Sequence, residues 1–241
     1  MMRKTMFLAA SMLTAATFSS SVALAESPLT ANINVTNNYL FRGVTQTADQ
    51  AAVQGGIDYA HSSGFYAGTW LSNVSATSDT SGGGGNFYGN NGNYEQDLYA
   101  GFGFDAGPVG LDVGYIKYMY PVDSATKADY DEIYVNASWM MLSANVSYTV
   151  SKEDKSITDK NDLYYSLGAE FDIKDGLMLG LLVGKYDFDG GTASDYTHYM
   201  VSLSKADFTF AFEKNNAKEA SWWTGVDDNR FTVSWGKSFD L

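Results

Sequence analysis

The chain contains no cysteine, only three prolines and only two histidines. Without cysteine no disulfide framework is possible, so burial and backbone hydrogen bonds must hold the fold together. Beyond the first 25 residues there is no run of about 20 apolar residues, which excludes a helical membrane protein. Basic residues are also scarce: 15 Lys and Arg stand against 28 Asp and Glu, a net charge of −13. That balance argues against a nucleic-acid partner, which needs a basic surface. It argues equally against docking on anionic cytoplasmic lipid.

What is present is uneven. Tyr (17), Phe (14) and Gly (24) are abundant, a composition suited to strands with one apolar and one polar face. The N-terminus is a separate matter. Arg3 and Lys4 form a short positive region, Met6 to Phe18 is mainly apolar but too short to span a bilayer, and Ala23-Leu24-Ala25 is a small-residue cleavage site. These features define residues 1–25 as a cleavable export signal and 26–241 as one mature domain. Removing 25 of 241 residues leaves 216, with 13 basic against 28 acidic residues and a net charge of −15.

The mature chain alternates with a period of two. Leu98, Ala100, Phe102 and Phe104 share one face, and Asp97, Tyr99, Gly101 and Gly103 share the other. Val109, Leu111, Val113 and Tyr115 oppose Gly110, Asp112 and Gly114. Ile133, Val135, Ala137 and Trp139 oppose Glu132, Tyr134, Asn136 and Ser138. Later segments repeat the pattern. The alternation predicts twelve strands, near 31–42, 53–61, 64–73, 93–105, 108–120, 130–140, 142–151, 161–173, 176–188, 195–205, 207–214 and 229–240. Several exceed the usual globular strand and match a tilted membrane strand.

Connection lengths alternate as well. Tight links at His61–Gly64, Asp105–Pro108, Trp139–Met141, Lys174–Gly176 and Ser204–Ala206 alternate with the longer stretches 43–52, 74–92, 121–129, 151–160, 189–194 and 215–228. Together these predict an all-β fold: a closed antiparallel transmembrane β-barrel of about 12 strands, with short periplasmic turns and long outer loops. An even strand count puts both termini on the periplasmic side. A soluble β-sandwich also alternates, but its strands are shorter and its loop lengths need not alternate by end. The last segment places Phe231, Val233, Trp235 and Phe239 on alternate residues, interrupted by Lys237. Such a strand suits recognition by the barrel assembly machinery.

The stretch Asn37-Asn38-Tyr39-Leu40-Phe41-Arg42-Gly43-Val44-Thr45-Gln46-Thr47, continued by Val53-Gln54-Gly55-Gly56-Ile57-Asp58-Tyr59 and by Gly64 to Val74, resembles the TorF-like porin family, a conserved hypothetical Gcw-type domain. The match departs from the family pattern at Ala51-Ala52, where the family has Pro-Ala. The resemblance implies an exported outer-membrane protein that passes small solutes, and it carries over no catalytic residue.

Chemical sites are few. Asp195 lies three residues before His198, on the opposite strand face, so the two do not form a local catalytic dyad. Asp58 and His61 also oppose each other. Asp187, Asp189 and Asp195 are oxygen ligands in type, but they lack a calcium-loop spacing. Gly82-Gly83-Gly84-Gly85 has no following Lys-Ser/Thr and reads as loop. Trp222-Trp223 suits a membrane interface. Lys117 and Lys185 continue apolar faces near the outer ends of their strands, where they can snorkel to headgroups. No cofactor, metal or catalytic residue is expected.

Alternation instead points Arg42, Asp58, Asp97, Tyr99, Asp112, Glu132, Tyr134, Glu170, Asp172 and Glu213 into the lumen as pore-lining residues. Arg42 should close the first strand, point inward near the outer mouth, and pair with lumen or loop acids. Tyr99, Tyr118, Tyr134 and Tyr164 are large enough to obstruct the bore, whereas Gly101, Gly103, Gly114 and Gly168 leave space. The expectation is a Gram-negative outer-membrane channel, with outer-membrane lipid, small solutes or cations as partners and a cation preference set by the acids. The rival readings are a structural or adhesive barrel with a plugged lumen, and a barrel enzyme.

Overall fold

Strict alternation makes each segment an extended ribbon with one apolar side, and such ribbons are stable in lipid only if they close on themselves. The structure, a computed structural model, describes residues 27–75, 93–121, 128–154, 160–190, 194–218 and 226–241. It contains fourteen strands: β1 (Leu29–Thr36), β2 (Leu40–Phe41), β3 (Val44–Thr45), β4 (Ala52–Ala60), β5 (Phe65–Asn73), β6 (Tyr94–Ala106), β7 (Val109–Met119), β8 (Tyr130–Trp139), β9 (Leu142–Lys152), β10 (Leu163–Lys174), β11 (Leu177–Asp187), β12 (Tyr196–Lys205), β13 (Phe208–Asn215) and β14 (Arg230–Asp240). Twelve of them form a closed barrel, and β2 and β3 form a separate two-stranded hairpin.

Sequential neighbours pair antiparallel around the barrel. The seam is β1 against β14, from Thr30↔Asp240 to Thr36↔Ser234, while the other edge of β1 pairs with β4. No barrel strand is left with a free edge, so the backbone groups satisfy one another without help from solvent. The sandwich alternative is thereby excluded. The expected tight turns all occur, at one end of the barrel, and several need left-handed backbone. Asp175 and Gly176 both have positive φ (52° and 76°), the two-residue hairpin geometry that matches strand twist.

The two faces are inverted relative to a soluble protein. Val53, Ile57, Leu98, Val113, Ile133, Val135, Leu167, Leu181, Val201 and Phe210 point outward and are exposed, forming a continuous apolar belt far larger than a soluble monomer shows. The interior is polar and tyrosine-rich: Asn34, Gln54, Asp112, Asn136, Asn145, Ser147 and Thr149 are buried. They hydrogen-bond in chains around the wall. Asn34 Nδ2 donates to Gln54 Oε1 at 2.7 Å, and Gln54 Nε2 to Ser72 Oγ at 3.2 Å. Asn145 Nδ2 donates to Asn136 Oδ1 at 2.7 Å, and Asn136 Nδ2 to Asp112 Oδ2 at 2.9 Å.

One strand differs from the alternation reading. The first was expected to run from 31 to 42, but β1 ends at Thr36. The chain then leaves the wall and turns into the bore. At the loop end of the outward face, Lys117 and Lys185 do not simply reach for headgroups. Lys117 Nζ lies 3.2 Å from Asp131 Oδ1 on the neighbouring strand, and Lys185 pairs with Asp187. Each pair brings a carboxylate into the interfacial zone together with its base.

Candidate functional site: the plugged outer half of the lumen

The segment from 37 to 51 is a folded plug. Leu40 pairs with Thr45 and Phe41 with Val44, joined by the two-residue loop Arg42-Gly43. Both loop residues have positive φ, 50° and 80°, as a tight hairpin of this twist demands. Gly43 is needed here for a second reason: a Cβ at this position would lie 2.7 Å from the Cβ of His198.

A polar clasp sets the base of the plug. Asn38 Oδ1 accepts from Thr45 Oγ1 at 2.7 Å and from Thr47 Oγ1 at 3.2 Å, while its Nδ2 donates to Asp49 at 2.7 Å. Asp49 in turn binds Arg230 of β14, with Nε to Oδ1 at 2.7 Å. The Tyr39 hydroxyl donates to Glu95 of β6 at 3.0 Å. At the tip, the Tyr196 hydroxyl donates to the Arg42 carbonyl at 3.1 Å, and Asn215 Nδ2 to the Gly43 carbonyl at 2.7 Å. Since β1 neighbours only β4 and β14, bonds to β6, β12 and β13 mean that the hairpin crosses the bore.

The Arg42 side chain completes the crossing. Its Nη1 and Nη2 donate to Glu132 Oε1 and Oε2 of β8 at 2.8 and 2.7 Å. Its guanidinium carbon lies 4.7, 4.2 and 4.9 Å from the ring centres of Phe41, Tyr164 and Tyr186. Arg42 and Glu132 are 0 % and 1 % exposed. This is a forked, charge-assisted pair inside an aromatic shell, the strongest form such a pair takes. Arg42 points into the bore and pairs with Glu132 from a hairpin turn rather than from the end of β1.

The buried region coincides with the plug. In the outer half, inward residues such as Thr36, Ala52, Ser72, Glu95, Tyr118, Thr149, Tyr186, His198 and Asn215 are buried. Toward the turn end, inward residues such as Asp58, Tyr66, Tyr99, Gly168, Ser202 and Thr209 keep partial exposure. The bore is thus accessible from the turn side and filled on the loop side.

The predicted lining residues divide accordingly. Asp97, Glu132 and Glu213 are buried around the plug, and Asp112 and Tyr134 are buried in the wall network. Asp58 accepts from Asn32 Nδ2 at 3.1 Å and from the Tyr99 hydroxyl. Asp112 Oδ1 accepts from the Tyr66 hydroxyl at 2.7 Å, and the Tyr66 and Tyr134 hydroxyls are 2.6 Å apart. Glu170 and Asp172 are exposed near the turn end of β10 and join no cluster with the others.

The tyrosines do not obstruct the bore uniformly. Tyr99, Tyr66 and Tyr134 each sit directly across from a glycine on the adjacent strand: Gly68, Gly101 and Gly114. A Cβ on any of these glycines would come within about 2.6 Å of the opposing ring or hydroxyl, so each ring lies flat along the wall over the space its glycine leaves. Tyr118 and Tyr164 instead pack against the plug. Tyr118 meets Phe41 edge-on at 5.7 Å, and Tyr164 lies under the Arg42 guanidinium.

Several site residues were missed in the sequence. Glu95 shares the phase of Asp97 and could have been read from it. Arg230 and Lys152 add inward bases, paired with Asp49 and Asp162. His198 is buried, with Nε2 2.9 Å from the Tyr164 hydroxyl and Nδ1 3.9 Å from Glu213 Oε2. The ring packs against Gly43 of the plug. His61 bonds Ser63 in a turn. Asp189 and Asp195 accept hydrogen bonds from Asn161 and from the Phe188 amide. The export signal, Gly82–Gly85 and Trp222-Trp223 lie outside the described residues.

The closed twelve-stranded antiparallel barrel is similar in fold to solved outer-membrane porins. It resembles the KdgM porin (TM-score 0.50, 9 % identity, covering 88 % of this chain and 99 % of that one). It also resembles the NanC porin (TM-score 0.50, 11 % identity, 88 % and 100 % covered). Residues 22–236 match the family described as bacterial proteins of unknown function (Gcw_chp), and the chain belongs to that family. No curated protein matches it in sequence.

Proposed function

We propose that this protein is a passive porin-like channel of the outer membrane, narrowed by an inward-folded hairpin and selective for small cationic solutes. The observation that carries this reading is the excess of acidic over basic residues on the inward face. Among the described residues, the buried bases Arg42 and Lys152 pair with Glu132 and Asp162, and Arg230 pairs with Asp49 and lies opposite Glu213 in the strand register. Glu95, Asp97, Asp112 and Glu213 are buried as well, so inward acids outnumber inward bases there. Carboxylates that are ionised in a narrow, low-dielectric passage concentrate cations and repel anions. The exposed apolar belt supports insertion in outer-membrane lipid, and the aromatic C-terminal strand supports recognition by the barrel assembly machinery.

The deciding measurement is the reversal potential of the refolded protein in a planar bilayer under a salt gradient. A cation preference is expected that weakens as salt rises, since the Debye length is about 10 Å at 0.1 M. Asp97→Asn with Asp112→Asn should reduce it. Anion selectivity, or no change in the double variant, contradicts the lumen-acid mechanism. The burial of Arg42 favours a second reading, a barrel whose lumen stays plugged and whose role is structural or adhesive. The absence of any conductance would establish that reading instead.

A further inference from the structure

We infer that Glu132, Tyr164 and Tyr186 form a binding site for guanidinium-bearing organic cations, and that Arg42 is its built-in occupant. The three residues belong to β8, β10 and β11 of the barrel wall, not to the hairpin. They therefore stay in place whether or not the plug does. Their present ligand is a guanidinium held by both oxygens of one carboxylate at 2.8 and 2.7 Å. The same guanidinium lies 4.2 and 4.9 Å from two wall tyrosine rings. A flat cation held by a forked carboxylate on one side and by aromatic rings on the others is the recognition a free guanidinium solute would use.

The site also constrains how the plug can leave. Glu132 is 1 % exposed with the hairpin in place, and withdrawing the Arg42 side chain alone would strand a buried carboxylate without its counter-charge, a strongly unfavourable state. Exchange solves this: an incoming guanidinium takes over Glu132 and the two rings as Arg42 departs. Tyr118 is placed to help, its hydroxyl 3.4 Å from Glu132 Oε2. The inference rests on the channel reading for its physiological meaning, but the binding itself needs no conduction.

The test uses the refolded full-length barrel with Arg42→Ala, and argininamide as the probe in titration calorimetry. Argininamide should bind this variant at least about tenfold more tightly than the Arg42→Ala/Glu132→Gln variant, as loss of a bidentate charged pair implies. Citrullinamide, of the same shape with a neutral urea in place of the guanidinium, should bind at least about tenfold more weakly than argininamide. If Arg42→Ala refolds poorly, adding argininamide during refolding should raise the folded fraction of that variant and leave the double variant unchanged. Equal binding of the two amides, equal binding by the two variants, or failure to rescue refolding overturns the site. A barrel that binds argininamide but never conducts overturns the channel reading alone. A barrel that conducts but binds neither amide overturns the site alone.

Discussion

Replacing Glu132 by Gln leaves the Arg42 guanidinium in place but removes its counter-charge. Breaking a buried ion pair from one side costs about 3–5 kcal/mol. Two features of this site set where in that range the change should fall. The Phe41, Tyr164 and Tyr186 rings at 4.7, 4.2 and 4.9 Å remain, and desolvated cation–π contacts offset part of the loss. The chain could instead release the hairpin and let Arg42 reach water. That route exposes Leu40, Phe41 and Val44, all buried, at about 1.5–3 kcal/mol each. It also breaks the Tyr196 and Asn215 bonds to the hairpin tip, at about 1 kcal/mol each. Release is the costlier path, so the cation stays buried and the loss should be about 3 kcal/mol, near the lower end of the range. Urea unfolding in phospholipid vesicles, followed by tryptophan fluorescence and by gel mobility, measures it. Arg42→Met combined with Glu132→Leu removes both charges and should fall within about 1 kcal/mol of wild type. A loss below about 1 kcal/mol for Glu132→Gln, or a double variant as unstable as the two single losses combined, would refute the buried-pair argument.

Three further outcomes follow from the same geometry. Leu167, 64 % exposed on the outward face of β10, should cost about 2–4 kcal/mol when changed to Arg. Ser202→Arg, on the partly exposed lumen wall, should alter conductance with little change in unfolding midpoint; equal penalties on both faces would put the register wrong by one residue. Gly43→Ala meets both positive φ and the His198 Cβ at 2.7 Å, and should cost about 1–3 kcal/mol by vesicle denaturation. Gly114→Val places atoms where the Tyr134 ring now lies, 2.3 Å from the built Cβ; the ring must lift into the bore, so conductance should fall and Tyr134→Ala in the same chain should restore it.

The barrel itself was legible because its rule is local. Period two decides which residues share a face, and a lipid-facing belt must be continuous, so Leu98 to Phe104 or Ile133 to Trp139 could be assigned without knowing any neighbour. Turns were legible for the same reason: Asp175-Gly176 and Gly107-Pro108 interrupt alternation with residues that suit tight reversal. The first strand misled because alternation continued past its end. Asn34, Thr36 and Asn38 share a phase, and Arg42 fits the same phase, so the pattern gave no stop. The stop is in the turn chemistry. Arg42-Gly43, flanked by Leu40-Phe41 and Val44-Thr45, is a two-residue hairpin loop with glycine at its second position. Read that way, the apolar residues on both sides belong to a small folded unit and not to a membrane strand.

What no alternation pattern supplies is which inward residue meets which across the bore. Arg42 and Glu132 are ninety positions apart, and their pairing depends on the plug reaching from β1 past the barrel axis to β8. The same limit governs the tyrosines. On one strand, Tyr99 and Tyr134 are simply large inward side chains that should narrow a channel. Only the cross-strand register places Gly68 opposite Tyr99 and Gly114 opposite Tyr134, and it is this pairing that lets the rings lie against the wall. The width of the lower lumen is therefore a property of residue pairs, whereas the closure of the upper lumen is a property of one hairpin. A substitution that narrows the first acts through a ring and its glycine. A change that opens the second must withdraw Arg42 from Glu132.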